Sequence, residues 1–85
     1  MSEISLNPAI FERVRGIAAD VLQVKRGALS SDSSPETIDT WDSVHHLNLV
    51  LALEESFEFQ FSPEEMDRMK TVGQIAGIVA SKTGA

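Results

Sequence analysis

The sequence predicts an all-α protein, a four-helix bundle with a long first loop and a short third helix. Apolar residues recur at helical spacing in separate stretches of the chain. Two Ser/Thr-x-x-Glu/Gln capping signatures mark helix starts in the second half. The only strand-like alternation, Phe57, Phe59 and Phe61, has no second run to pair with. A chain of 85 residues suits one domain, spanning 1–85, that buries only about 60–65% of its unfolded surface. Such a thin core leaves little room for a cavity lined by a full catalytic set.

The first helix is expected from Pro8 to Gln23, with Asn7 as cap and Pro8 at the first helical position, where a missing N–H costs nothing. Ile10, Val14, Ile17, Ala18, Val21 and Leu22 form its apolar stripe. Gly16 within it costs about 1 kcal/mol relative to Ala, and close packing is the one reason the sequence suggests. An irregular segment follows from Val24 to Trp41. Gly27 and the tract Ser30-Ser31-Asp32-Ser33-Ser34-Pro35 oppose regular structure there. Leu29, Ile38 and Trp41 are the expected tethers of this loop to the core. Loops of such length tend to serve function.

The second helix should begin at Ser43, capped by Asp42, and end near Ser56. Leu47, Leu49, Val50, Leu53 and Phe57 span a broad face assigned to the core. Val44, Asn48, Leu51 and Glu55 form a separate stripe at i, i+4, i+7 and i+11. Ser62-Pro63-Glu64-Glu65 opens a third helix of about two turns, through Met69. Thr71-Val72-Gly73-Gln74 opens the fourth, on which Val72, Ile75, Ala76 and Val79 share a face. The three phenylalanines are expected to plug the core at the end of the second helix and in the loop after it.

Charge excludes some function classes. The net charge is −6, and from Gly27 to Asp67 there are ten acids and no Lys or Arg. Nucleic acid, which needs the opposite sign, is disfavoured; by itself the acidic stretch reads first as a solvated face that keeps the protein soluble, and second as a surface that steers towards basic partners. The longest apolar run, Leu49 to Leu53, is too short to span a bilayer, and the start of the chain lacks a signal-peptide core. With no cysteine, disulfides and thiolate metal sites are unavailable. A soluble, cytoplasmic monomer without membrane insertion is the expectation.

Catalytic constellations are lacking too. His45 and His46 are adjacent, so on a helix they diverge by about 100° and cannot share a metal. No Glu or Cys stands at the spacing a zinc site needs, so no metal ligands are assigned. Ser43 near His46 lacks a candidate oxyanion hole and a buried acid–base pair, which speaks against autonomous catalysis. Ser43 itself follows a capping Asp and a long loop, so its hydroxyl should be exposed beside the free first-turn amides and the positive end of the helix dipole. A phosphate esterified there would be stabilised. Asp-Ser at a helix start is also ordinary capping chemistry, so the dipeptide decides nothing alone.

The ordered series is more specific. Asp42-Ser43-Val44, then Leu47, Leu49, Val50, Ala52-Leu53-Glu54-Glu55 and Phe57, resembles the phosphopantetheine attachment region of acyl carrier proteins. The likeness continues without a gap through Ser62-Pro63-Glu64-Glu65, Thr71-Val72 and Ile75, more than half the chain. It implies an acyl-carrier-like bundle with 4'-phosphopantetheine on Ser43, installed by a separate holo synthase using Mg²⁺ and coenzyme A. Asp42 matches the family's Asp and is implied to contact the synthase and its Mg²⁺. The thiol absent from the sequence would come with the arm, which would shuttle thioester-linked acyl intermediates in a lipid or specialised pathway, fatty acid biosynthesis included. Val44, His45, Asn48, Leu51, Glu54 and Glu55 are the implied docking residues for acyl-loading and acyl-using enzymes with basic surfaces.

Several positions depart from the family pattern. Val44 replaces the usual Leu, and Trp41 stands where a small residue is usual; a packing role is expected for it. His45, His46 and Asn48 occupy a stretch where primary fatty-acid carriers tend to place acids. This implies weaker electrostatic docking or dedicated partners, hence a specialised freestanding carrier. Asp39-Thr40-Trp41 before Asp42 lacks the Gly-Gly pattern frequent in peptidyl carriers, so aminoacyl cargo is the less favoured alternative. An unmodified helical interaction module is the rival from another class.

Overall fold

A computed structural model describes residues 8–83. Four helices account for its regular structure: α1 (Pro8–Leu22), α2 (Ser43–Phe57), α3 (Pro63–Asp67) and α4 (Val72–Thr83). No strand occurs among the described residues. The all-α bundle expected from the sequence is the fold found. The expected cap Asn7 lies outside the described residues.

α1 packs against both α2 and α4. Val14, Ala18 and Leu22 from α1 meet Leu49, Val50 and Leu53 from α2 and Val72, Ile75, Ala76 and Val79 from α4 in one buried cluster. α1 stops one residue earlier than expected, because Gln23 turns left-handed at φ 58° and Val24 N–H returns to Ala19 O at 3.1 Å. At the far end of α2, Glu58 takes the same conformation, φ 60°. There the Arg13 guanidinium donates to Ser56 O at 2.9 Å and lies over the Phe57 ring, fastening α1 to the last turn of α2.

The long first loop is less irregular than its composition suggests. A short 3₁₀ turn, Arg26–Ala28, follows α1, and the Arg26 guanidinium crosses α1 directly over Gly16. A Cβ at position 16 would meet only this flexible, exposed guanidinium, which can swing aside, so the structure gives the glycine no packing requirement of its own. Leu29 and Trp41 are buried and Ile38 packs against the core, so all three expected tethers hold. Between them Ser33 is buried, its Oγ accepting Ser30 N–H at 2.9 Å. The loop also clasps α4: Val72 N–H donates to Ser33 O at 3.0 Å and Gly73 N–H to Ser31 O at 2.9 Å. First-turn amides of α4 are thereby satisfied by loop carbonyls.

The third helix is shorter than expected. It ends at Asp67, where Arg68 N–H turns back to Glu65 O. Its capping box is complete: Ser62 Oγ accepts Glu65 N–H and Glu65 Oε1 accepts Ser62 N–H. The box predicted for α4 is offset. Thr71 Oγ1 accepts Gln74 N–H at 3.1 Å, but the Gln74 side chain accepts from Lys70 N–H instead of closing onto Thr71. Phe61 is buried, while Phe57 and Phe59 are half-buried against the core; Phe59 and Phe61 meet edge to face at 4.8 Å.

Candidate functional site

The start of α2 gathers the chemistry-bearing residues. Asp42, in extended conformation, caps the helix: its Oδ1 accepts His45 N–H at 2.9 Å. The same oxygen lies 2.8 Å from His45 Nδ1. His45's amide first, and its ring second, hold the Asp42 carboxyl below the usual carboxylate range, so it stays an anion. Ser43 follows as the first helical residue, exposed to solvent. Asp42 N–H is taken by Thr40 O and His45 N–H by the cap. The amides of Ser43 and Val44 are the first-turn donors left for an anion.

His46 behaves quite unlike its neighbour. It is half-buried, and its Nδ1 accepts the Trp41 indole N–H at 3.0 Å. The two rings stack with centroids 6.1 Å apart. Burial lowers the pKa of His46 and keeps the ring neutral, with its remaining proton on Nε2. The two histidines thus serve different partners, one the cap and one the core. Pro35, Trp41, Asp42, Ser43 and His46 together line a cleft of about 320 Å³.

One sequence assignment fails here. Leu47, expected in the core, is 57% exposed and stands between Val44 at 64% and Leu51 at 53%. α2 therefore carries three exposed aliphatic side chains on one flank, beside exposed Asn48. On the helical wheel Leu47 lies about 60° from exposed Val44 and about 60° from buried Val50, at the edge of the face assigned to the core.

The remaining candidates divide. Glu55 is exposed, whereas Glu54 uses Oε2 to accept Phe61 N–H at 2.9 Å, tying the loop after α2 back to the helix. The structure thus brings Asp42, Ser43, Val44 and His45 into one helical turn and continues their flank through Leu47, Asn48 and Leu51. His46, by contrast, faces the core with Trp41, a pairing that residue spacing did not disclose.

An attached phosphodiester arm fits this site chemically. The Ser43 side chain is exposed, two amides stand beside it, and a cleft opens at its foot. No helix among the described residues is long and apolar enough to cross a membrane.

No protein-family model matches the chain. Curated relatives do. The acyl carrier protein of a Picosynechococcus species is 32% identical over 80 residues, covering 94% of this chain and 99% of its own. That of Prochlorococcus marinus is 32% identical over 75 residues, covering 88% and 94%. Solved structures agree. The solution structure of a holo acyl carrier protein from Geobacter metallireducens superposes with a TM-score of 0.79 at 30% identity, covering 87% of this chain and 85% of that one. A holo acyl carrier protein from Nitrosomonas europaea gives 0.76 at 31%, covering 88% and 96%. With near-complete alignment to carriers of the same fold and length, this chain belongs to the acyl carrier protein family.

Proposed function

We propose that Ser43 carries 4'-phosphopantetheine and that the chain shuttles thioester-linked acyl intermediates between the enzymes of a lipid or specialised pathway. The observation that carries this reading is the exposed Ser43 at the first position of α2, beside the anionic cap Asp42 and two unpartnered amides, in a chain of this family. The two solved structures above are of holo acyl carrier proteins.

A holo synthase would supply Mg²⁺ and coenzyme A. Ser43 Oγ would form a new bond to phosphorus as the pyrophosphate bridge breaks. Adenosine 3',5'-bisphosphate would leave, and the hydroxyl proton would pass to a base on the synthase. This chain supplies an exposed nucleophile held at a fixed place and a carboxylate, Asp42, that stays charged beside it for the synthase's metal. It performs no turnover of its own; synthase and acyl-using enzymes act on it.

Docking belongs to the same flank. Val44, Leu47 and Leu51 give an apolar contact, with His45, Asn48 and Glu55 around it and Glu54 at its lower end, partly committed to Phe61 N–H. Because α2 carries no acid between Ser43 and Glu54, this surface favours partners that present an apolar patch with basic groups towards Glu54 and Glu55. Aminoacyl cargo has no specific observation in its favour.

Purification from the native host followed by intact mass spectrometry tests this reading. A phosphopantetheine mass increment, with or without an acyl group, is expected. Protein found only at its sequence mass would contradict it. The acyl mass would also identify the cargo.

A further inference from the structure

We infer that the arm on Ser43 rests on the loop side of α2, in the cleft walled by Pro35, Trp41 and His46. The inference rests on the phosphopantetheine reading and adds where the arm lies between encounters with enzymes.

Attachment makes the cleft the nearest concavity to the arm. Ser43 lines it, so a group esterified on Oγ starts at its rim. Its volume, about 320 Å³, lies at the small end of ligand sites. That size suits the branched pantoyl segment and the amide next to it. The chemistry corresponds too. The arm alternates geminal methyls and methylenes with a hydroxyl and amides. The cleft offers the Pro35 and His46 rings for the former, with Trp41 buried behind them. His46 Nε2–H and the Asp42 carboxylate can serve the latter.

The wall is already built. Trp41 is 2% exposed, so it backs the cleft as a buried support. It is fixed at both ends, by indole N–H to His46 Nδ1 and by backbone N–H to Ile38 O, each at 3.0 Å. A preformed wall spares the ordering cost that a mobile one would add on binding. Placing the arm here also leaves Val44, Leu47 and Leu51 clear, so an enzyme can dock on that flank while the arm is still sheltered. Proteins with a small residue in place of Trp41 would lack this wall.

The test uses full-length protein converted with coenzyme A, Mg²⁺ and a broad holo synthase, conversion being verified by intact mass. Trp41 is the only tryptophan, so its indole N–H gives a single NMR resonance. Holo protein should show a shifted indole resonance and nuclear Overhauser contacts from the pantoyl methyls to the Trp41, His46 and Pro35 rings. Because Trp41→Phe risks the core, the variants are Pro35→Ala, at an exposed position, and His46→Asn, which keeps an acceptor for the indole. Both should convert fully and lose most of these contacts. A converted protein whose arm resonances are as narrow as those of free pantetheine would overturn the inference, leaving the carrier reading intact. So would methyl contacts to Leu47 or Met69 instead. A protein that gains no mass loses both.

Discussion

The Trp41 indole N–H donates to His46 Nδ1 at 3.0 Å, joining the end of the long loop to the first turn of α2 within an aromatic stack. The bond closes a short circuit around Asp42 and Ser43, whose two neighbours on the loop side and on the helix side are thereby held together. It also leaves His46 half-buried and neutral, five residues from its partner in sequence. Both consequences can be measured.

Removing the donor should cost stability. Trp41→Phe keeps a ring but strands the His46 acceptor and leaves part of a buried site empty. A loss of about 2–4 kcal/mol is expected from the two effects together. The urea midpoint of unfolding reads it directly.

The neutral state of His46 makes stability depend on pH. Burial places its folded pKa below the ordinary 6.5, so below that pH the unfolded chain binds more protons than the folded one. Stability should therefore fall as pH drops through about 6.5 and level off once pH lies below the folded pKa. In melting scans between about pH 5.5 and 7.5, His46→Asn should flatten this slope. An unchanged slope would locate the titration elsewhere.

Adjacent leucines of α2 should respond in opposite ways. Leu49 is fully buried, so Leu49→Ala should cost about 2–5 kcal/mol. Leu47→Ala, on the exposed flank, should change stability by no more than about 0.5 kcal/mol. If the flank receives partners, Leu47→Ala should slow acyl loading at unchanged melting temperature. Steady-state loading of holo protein checks both halves.

Two glycines should also separate. A Cβ on Gly73 would lie 3.0 Å from Ser31 O, the carbonyl that accepts Gly73 N–H, so Gly73→Ala should push the loop off α4 and cost about 1–3 kcal/mol. A Cβ on Gly27 meets nothing within 4 Å. Gly27→Ala should be neutral or stabilise by up to about 1 kcal/mol, through the unfolded chain. Paired denaturation curves decide.

What the sequence disclosed follows from the range of each interaction. The Asp42 cap and the Ser62–Glu65 box depend on residues within one turn, and both form as expected. Helix boundaries slipped where backbone closure intervened, at Gln23 and Arg68. Leu47 stands at the edge of the apolar face of α2, as near to buried Val50 as to exposed Val44, so neither hydrophobicity nor angular position separates core from flank there. The loop's clasp on α4 uses backbone carbonyls of Ser31 and Ser33, which carry no side-chain signature. Glu54 reaching Phe61 N–H and Trp41 reaching His46 depend on how loops fold back, and helical spacing does not encode that. At the candidate site, the cap position of Asp42 and the helix-start position of Ser43 are legible in the sequence; the aromatic wall beside them is not.

Ser43 is proposed as an attachment point on which other enzymes act. Purified apo protein incubated with coenzyme A, Mg²⁺ and a broad holo synthase, then weighed intact, tests it most directly. One phosphopantetheine increment is expected on the native sequence and none on Ser43→Ala. An unmodified native protein, or a Ser43→Ala variant that still gains the increment, would contradict it.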